Sequence, residues 1–345
     1  KITLILNGDM EDLLFAMDDN DYEPHISMEG HQISAIYMTV GKARVTIRSA
    51  HPLVGPNEQK LTLTTEQAAE FHKQTSAFYS AVINKTHLGA YSKTLMAAQD
   101  AYALKPMTGR FQVPLDHDVY YQVDISKCYA SILATLTHVG VPTEFDELEP
   151  VVDLNIRATS WYLVKLLPEQ KVEAIQIAFQ GDIVFVPGQF LLDLQKLAYT
   201  LIPAPIKYRL LRELRPATVV EVNFKDLIGD VYQSPLPEKL AKFIPNMVLG
   251  LCNRKNNSNY KTFLFRDPIE ADLFAEHMNT RKFEMEKPGR FVVTKGLHQR
   301  LQSGFKMIGD WVYAMSALRM FKLYHELKRL NIQPVAMKTD ALFIP

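Results

Sequence analysis

Residues 334–344 read PVAMKTDALFI: an apolar lead-in of Val335, Ala336 and Met337, one carboxylate at Asp340, then Leu342, Phe343 and Ile344. The pattern predicts two short strands joined by a tight turn, with Asp340 in the turn. A carboxylate between strands of buried character is costly unless something pairs with it. A second stretch has the same shape. In VYYQVDISKCY (119–129), Asp124 ends an apolar strand just before the pattern becomes helical. Either aspartate alone is more simply read as a cap or a turn former. Two of them, far apart in the chain, can be brought side by side by adjacent strands and so reach the same divalent cations. Mg²⁺ takes hard oxygen ligands and prefers one or two carboxylates plus substrate phosphates. That arrangement suits phosphoryl or nucleotidyl transfer by two metal ions.

The bulk properties permit this chemistry without demanding it. The chain has 345 residues, 47% hydrophobic and 22% charged, enough for two or three domains with real cores. No apolar run is long enough to span a membrane. Cys128 and Cys252 lie far apart, which supports neither a disulfide scaffold nor a zinc site and makes a reducing, intracellular setting the default. The chain begins at Lys1 and stops at Pro345, directly after the opening stretch, so both ends read as cuts through a longer protein. Net charge is zero but unevenly spread. Residues 241–345 hold 17 Lys and Arg against 9 Asp and Glu, and residues 1–240 hold 21 against 29, so +8 faces −8. The basic clusters NRKNNSNYK (253–261) and TRKFEMEKPGR (280–290) suit a polyanion such as nucleic acid. A plain solvated face accounts for the charge equally well.

Local patterns predict mixed α and β structure throughout. KITLIL (1–6) and ISAIYMTVGKARVTI (33–47) have strand character. TTEQAAEFHKQTSAFYSAVI (64–83) is a helix with a threonine cap and a first-turn glutamate. Residues 144–235 alternate helical runs with short strands. PLPEKLAKFIPNMVLGL (235–251) reads as a helix that Pro245 should kink or shorten. GDWVYAMSALRMFKLYHELKRLN (309–331) is an amphipathic helix, with Asp310 as its expected cap and Lys328 and Arg329 in its last turn. Within KFIPNMVLG, Lys242, Asn246 and Gly250 stand at i, i+4 and i+8, on one helix face. An ammonium, an amide and bare backbone on one face suit a nucleotide, although the motif alone fits an ordinary surface helix. Tyr129, five residues after Asp124, can offer a flat ring beside the same site; alone it reads as core.

Taken in order, DISKCYASIL (124–133), KFIPNMVLG (242–250) and KTDALFI (338–344) resemble the motifs of the palm and fingers of family B DNA polymerases. MTGRFQV (107–113) is similar to the link that joins that family's exonuclease and polymerase domains. Long gaps between motifs, and KTD in place of two aspartates, look most like the protein-primed viral, linear-plasmid and mobile-element branch. The resemblance spans roughly residues 107–345. It implies an α+β fold: a right-hand palm of antiparallel sheet with helices, plus fingers, preceded by a ribonuclease-H-like exonuclease-type α/β domain, with the thumb beyond this chain. The expected layout is 1–106 exonuclease-like, degenerate or truncated; 107–143 first palm portion; 144–235 insertion and connection; 236–262 fingers; and 263–345 second palm portion, with room for an insertion at 263–300.

The resemblance also implies roles. Asp124 and Asp340, helped by the carbonyl of Ile125, would hold two Mg²⁺ or Mn²⁺ ions. Tyr129 would lie under the incoming sugar and exclude a 2′-hydroxyl, Lys242 would bind the triphosphate, and Asn246 would shape the nucleotide pocket. The implied partners are template–primer DNA, dNTPs and a terminal priming protein, with no membrane; the implied setting is a viral replication site or a virion. Four positions depart from the family pattern: Lys127, Ala130, Leu249 and Lys338. Leu249 replaces a tyrosine that checks the nascent pair. In LILNGDMEDLL (4–14), Asp9 and Glu11 are candidate exonuclease metal ligands, or else simply a helix start with an acidic first turn. No exonuclease signature follows near YSKTLMAAQD (91–100). Three rivals remain: a reverse transcriptase or RNA polymerase with a similar palm, a non-catalytic nucleic-acid-binding subunit, and an unrelated α/β protein with chance motifs.

Overall fold

Alternation and turn chemistry account for the N-terminal elements of the computed structural model. It describes residues 2–20, 24–29, 32–50, 53–54, 59–60, 63–86, 92–111, 119–167, 173–202, 206–252, 256–285, 287–300 and 305–345. Strands Gln32–Val40 and Ala43–Ser49 pair antiparallel, with Val40 opposite Ala43, so only two residues form the loop. Gly41 begins that loop at φ +57°, a conformation glycine adopts without steric cost. Strand Ile2–Leu6 adds in parallel to Ala43–Ser49, and His25–Glu29 closes the other edge.

The chain divides into two units. One comprises Lys1–Ser76, Val231–Ile244 and Arg254–Leu301; the other comprises Ala77–Asp230, Pro245–Asn253 and Gln302–Pro345. In the first unit, helix Met10–Asp18 buries Leu14 and Phe15 against Ile26, Ile36 and Ile47 of the sheet. Met285 and Val292 join the same core. Val292 belongs to a separate antiparallel sheet of Asn256–Phe265, Phe291–Arg300 and Arg281–Glu284, and Met285 directly follows its last-named strand. Arg290 and Arg266 lie over the Phe15 ring, at 4.9 and 5.4 Å from its centre. Arg290 also reaches Asp12 at 2.8 Å and Arg266 reaches Asp19 at 2.6 Å. The stretch expected to hold the end of the fingers and the second palm portion thus divides: 254–301 shares a core with the N-terminal region, and 302–345 lies in the other unit.

The second unit is organised around helix Phe305–Arg329. Its residues Ala317, Leu318 and Phe321 are buried among Phe179, Phe190, Met337 and Leu342. One sheet is antiparallel throughout, in the order Thr108–Arg110, Ala336–Lys338, Ala341–Ile344, Tyr121–Asp124. A second has the order Leu148–Pro150, Tyr208–Leu214, Trp161–Leu166, Ile183–Pro187. Between residues 144 and 235, where helices and short strands were expected to alternate, helix Gly188–Leu201 packs on strand Ile183–Pro187 of that sheet, and helix Phe224–Gln233 follows strand Thr218–Glu221 in the chain.

Two local expectations are corrected. Asp310 does not cap the long helix. The helix begins at Phe305, and Asp310 sits inside it, 3% exposed, bonded to Lys306 at 3.0 Å and to Gln99 at 3.1 Å. Burial pushes its carboxyl above the ordinary range. Of the two effects expected of Pro245, the shortening does not occur: its helix runs from Glu238 to Cys252 with the proline inside it. By contrast Thr64 caps its helix as read. Gln67 N donates to its hydroxyl at 3.2 Å, and Thr64 N donates back to the Gln67 side chain at 3.1 Å.

Gly188 gives a direct test of packing in the second unit. A Cβ at this position would fall 1.9 Å from the carbonyl oxygen of Arg157, which is backbone and cannot swing aside. Gly188→Ala is expected to cost about 1–3 kcal/mol or more through forced backbone movement. Chemical denaturation with circular dichroism would measure this; an unchanged midpoint would show that the 157–160 segment yields freely.

Candidate functional site

Strand Tyr121–Asp124 and strand Ala341–Ile344 lie side by side, with Asp124 opposite Ala341. The residue before Ala341 is Asp340, so the two carboxylates sit at the same end of neighbouring strands. Ile125 N donates to the Asp340 carbonyl at 3.1 Å, which extends the pairing one step past the strand end. Asp124 is exposed and Asp340 is half-buried, so the opening stretch is less enclosed than its apolar flanks suggest. Burial raises the Asp340 carboxyl above the ordinary range, and the negative charge of Asp124 raises it further. Among the described residues, no Lys or Arg is drawn onto Asp340 to relieve this.

The turn that carries Asp340 is unusual. Lys338 pairs with Ala341, which leaves Thr339 and Asp340 as a two-residue loop. Thr339 takes φ +58°, the conformation that Gly41 supplies in the N-terminal hairpin. A β-branched residue there is strained, by about 1–3 kcal/mol. The turn is held from behind: Thr339 N donates to the carbonyl of Met107 at 2.7 Å. On the other side of the pair, Lys127 also takes a left-handed conformation, φ +51°, where the chain turns into helix Cys128–Leu133. Asp340 directly follows, and Asp124 precedes by three residues, backbone that non-glycine residues seldom adopt.

Tyr129 is half-buried on that short helix, edge-on to Tyr313 of the long helix, with ring centres 5.9 Å apart and planes at 70°. Burial raises its hydroxyl far above the usual range, and the Asp340 charge adds to this. Lys242, Asn246 and Gly250 are all exposed on one face of helix Glu238–Cys252, as their spacing predicts. Lys242 pairs with Glu238 one turn back at 2.7 Å, which raises its ammonium's affinity for its proton. Leu249, seven residues on from Lys242 and so near the same side of the helix, is nonetheless buried. Asp9 and Glu11 take the helix-start geometry. Asp9 caps helix Met10–Asp18, accepts from Glu11 N at 2.8 Å, and pairs with Lys287 at 3.0 Å. Glu11 is buried beside Arg290 at 3.5 Å.

Asp124 and Asp340 are a donor set of hard oxygens whose mutual repulsion a divalent cation would relieve, so the pair fits such an ion. The Ile125 carbonyl accepts one hydrogen bond, from Cys128 N at 3.2 Å, and keeps a second lone pair. Among the described residues no group of three or more His, Cys, Asp or Glu side chains converges. No helix of the described residues is long and apolar enough to cross a membrane. Tyr313 and the Thr339 conformation escaped the sequence reading. The first sits on the long helix at a position that periodicity marks only as amphipathic, and the second carries no composition signal.

No protein-family model matches the chain, and no curated protein matches it. Among solved structures it is similar to phi29 DNA polymerase. The orthorhombic crystal form matches at TM-score 0.52 and 11% identity, over 99% of this chain and 71% of that one. The complex with primer-template DNA and incoming nucleotide substrates matches at TM-score 0.50 and 10% identity, over 94% of this chain. The chain spans 65% of that solved chain. At such identity the likeness shows the fold alone: a phi29 polymerase-like fold, mixed α/β with several antiparallel sheets.

The raised Asp340 carboxyl has a stability signature. The folded chain holds that proton more tightly than the unfolded chain does, so stability falls as pH rises from the ordinary carboxylate pKa through the raised one. Asp340→Asn is expected to melt above the parent at neutral pH, with the gap closing as pH is lowered through that window. Added Mg²⁺ should raise the parent's melting temperature and leave the variant's nearly unmoved. A variant that melts below the parent at neutral pH would show the carboxylate to be held by favourable contacts instead.

Proposed function

We propose that this chain is the palm- and fingers-bearing part of a DNA-directed DNA polymerase of the protein-primed family B type, serving a viral or mobile-element genome. The observation that carries the reading is the register of one sheet, which sets Asp124 beside Asp340 in a phi29 polymerase-like fold. The reaction joins the primer's 3′-oxygen to the α-phosphorus of a dNTP, with loss of the hydroxyl proton and departure of pyrophosphate.

Asp124, Asp340 and the Ile125 carbonyl would hold two Mg²⁺ or Mn²⁺ ions. When bound, such ions acidify the attacking hydroxyl and neutralise charge on the phosphates. The remaining work falls to the chain's own groups. The strained Thr339 turn presents the Asp340 carboxylate at a fixed angle. Tyr129 offers its ring to the sugar of the incoming nucleotide. Lys242 exchanges its partner Glu238 for the triphosphate, and Asn246 on the same helix face shapes the nucleotide's surroundings. The neighbouring structures include complexes with primer-template DNA and with nucleotide substrates. By analogy we assign template–primer DNA and dNTPs to this protein, and a terminal priming protein from the sequence resemblance.

Primer extension on a DNA template with Mg²⁺ and dNTPs, using the protein at its full natural length, tests the reading. Asp124→Asn and Asp340→Asn are each expected to lose about 100- to 1,000-fold or more in rate while keeping the parent's circular dichroism, since each removes several kcal/mol of charge stabilisation. Lys242→Ala should chiefly raise the KM for dNTP. An active parent with an unimpaired Asp340→Asn would overturn the assigned site. A parent that binds primed DNA and extends neither DNA, RNA nor protein primers would favour the non-catalytic subunit.

A further inference from the structure

The helix that carries Tyr129, Cys128–Leu133, is six residues long and starts after Lys127 with no side-chain cap. A helix of that length does not hold its place unaided. Three residues of the long helix, at i, i+3 and i+6 on one face, reach across to it. Tyr313 packs edge-on to Tyr129 at 5.9 Å. The Ser316 hydroxyl lies 3.6 Å from the Cys128 sulfur. Arg319 Nη1 donates to the Ser131 hydroxyl at 2.5 Å and to the Cys128 carbonyl at 3.4 Å. The same long helix leads within a few residues to strand Ala336–Lys338 and so to Asp340. One rigid element therefore sets both Tyr129 and Asp340.

The two tyrosines also face a common space. A narrow crevice, with room for little more than a water molecule, is lined by Tyr129, Tyr313, Ser316, Lys105, Gln180 and Thr339 among others. Lys105 and Gln180 are locked together at its edge, Lys105 N donating to the Gln180 side chain at 2.8 Å and receiving a bond at its own carbonyl in return. Thr339 brings the crevice next to Asp340. The edge-on contact with Tyr313 limits how the Tyr129 ring can turn.

We propose that Tyr313 is a positioning residue that fixes the Tyr129 ring and thereby sets how strictly the site excludes a 2′-hydroxyl. This rests on the polymerase reading and deepens it. The test is single-nucleotide extension of a primed DNA template by the protein at its full natural length, with kcat/KM measured for a dNTP and the matching rNTP. Tyr313→Leu keeps apolar bulk and removes the ring, and it is expected to raise the rNTP-to-dNTP ratio by roughly 2- to 10-fold, the range an aromatic pair supplies. Tyr313→Phe, which keeps the ring, should restore the parent's ratio, and Tyr129→Ala should raise it furthest.

A merely structural role for Tyr313 would lower both efficiencies together and leave the ratio unmoved, which would overturn the inference. So would a ratio unmoved by Tyr129→Ala. Should Tyr313→Leu fail to fold, Arg319→Ala releases the far end of the same ladder and carries the same expectation. A parent that incorporates no nucleotide from any primer is a different failure, one that removes the polymerase reading itself.

Discussion

The register that sets Ala341 opposite Asp124 holds two negative charges together at one end of a sheet, and the surrounding structure works to keep it there. A slip of one residue would move every side chain of strand Ala341–Ile344 to the other face. Met337 and Leu342, directly opposite each other, are buried in the core beneath the long helix and forbid that slip. On the far side, strand Thr108–Arg110 bonds to Ala336–Lys338, and the Met107 carbonyl receives Thr339 N. Burial of apolar residues thus supplies the force that opposes the repulsion between Asp124 and Asp340.

Two hairpins of the chain use a two-residue loop whose first position needs a left-handed backbone. One has Gly41 there and the other has Thr339. The first solution is the relaxed one. The second keeps a strained residue beside the candidate site, where substitution by glycine would ease the backbone and loosen the carboxylate that follows. Strain retained at one hairpin and avoided at the other is consistent with a demand for rigidity at Asp340.

Much of this was legible in sequence because the signals are local. Strand-end aspartates, the Thr64 cap and the exposed face of Lys242, Asn246 and Gly250 follow from period and turn chemistry. The misreading of Asp310 has the same origin, since an aspartate near a helix start looks like a cap until Gln99 and Lys306 enclose it. The core shared by 254–301 and the N-terminal residues was invisible for a different reason. It brings Met285 and Val292 to a helix more than 260 positions away and lays Arg266 and Arg290 over Phe15, and neither contact leaves a periodic trace. Tyr313 was hidden likewise, because its partner on the short helix lies far away in sequence.

The discontinuity of the two units has a consequence for synthesis. The chain passes between them repeatedly, and Asp12 is separated from its partner Arg290 by 278 positions. At ribosomal rates of about 5–20 residues per second, the first helix waits roughly 14 to 56 seconds for that partner to be made. Through that interval the apolar side of Met10–Asp18 lacks Met285 and Val292, and Phe15 lacks its two arginines. The helix is completed only when partners made much later emerge, and until then its apolar side is open to chaperones.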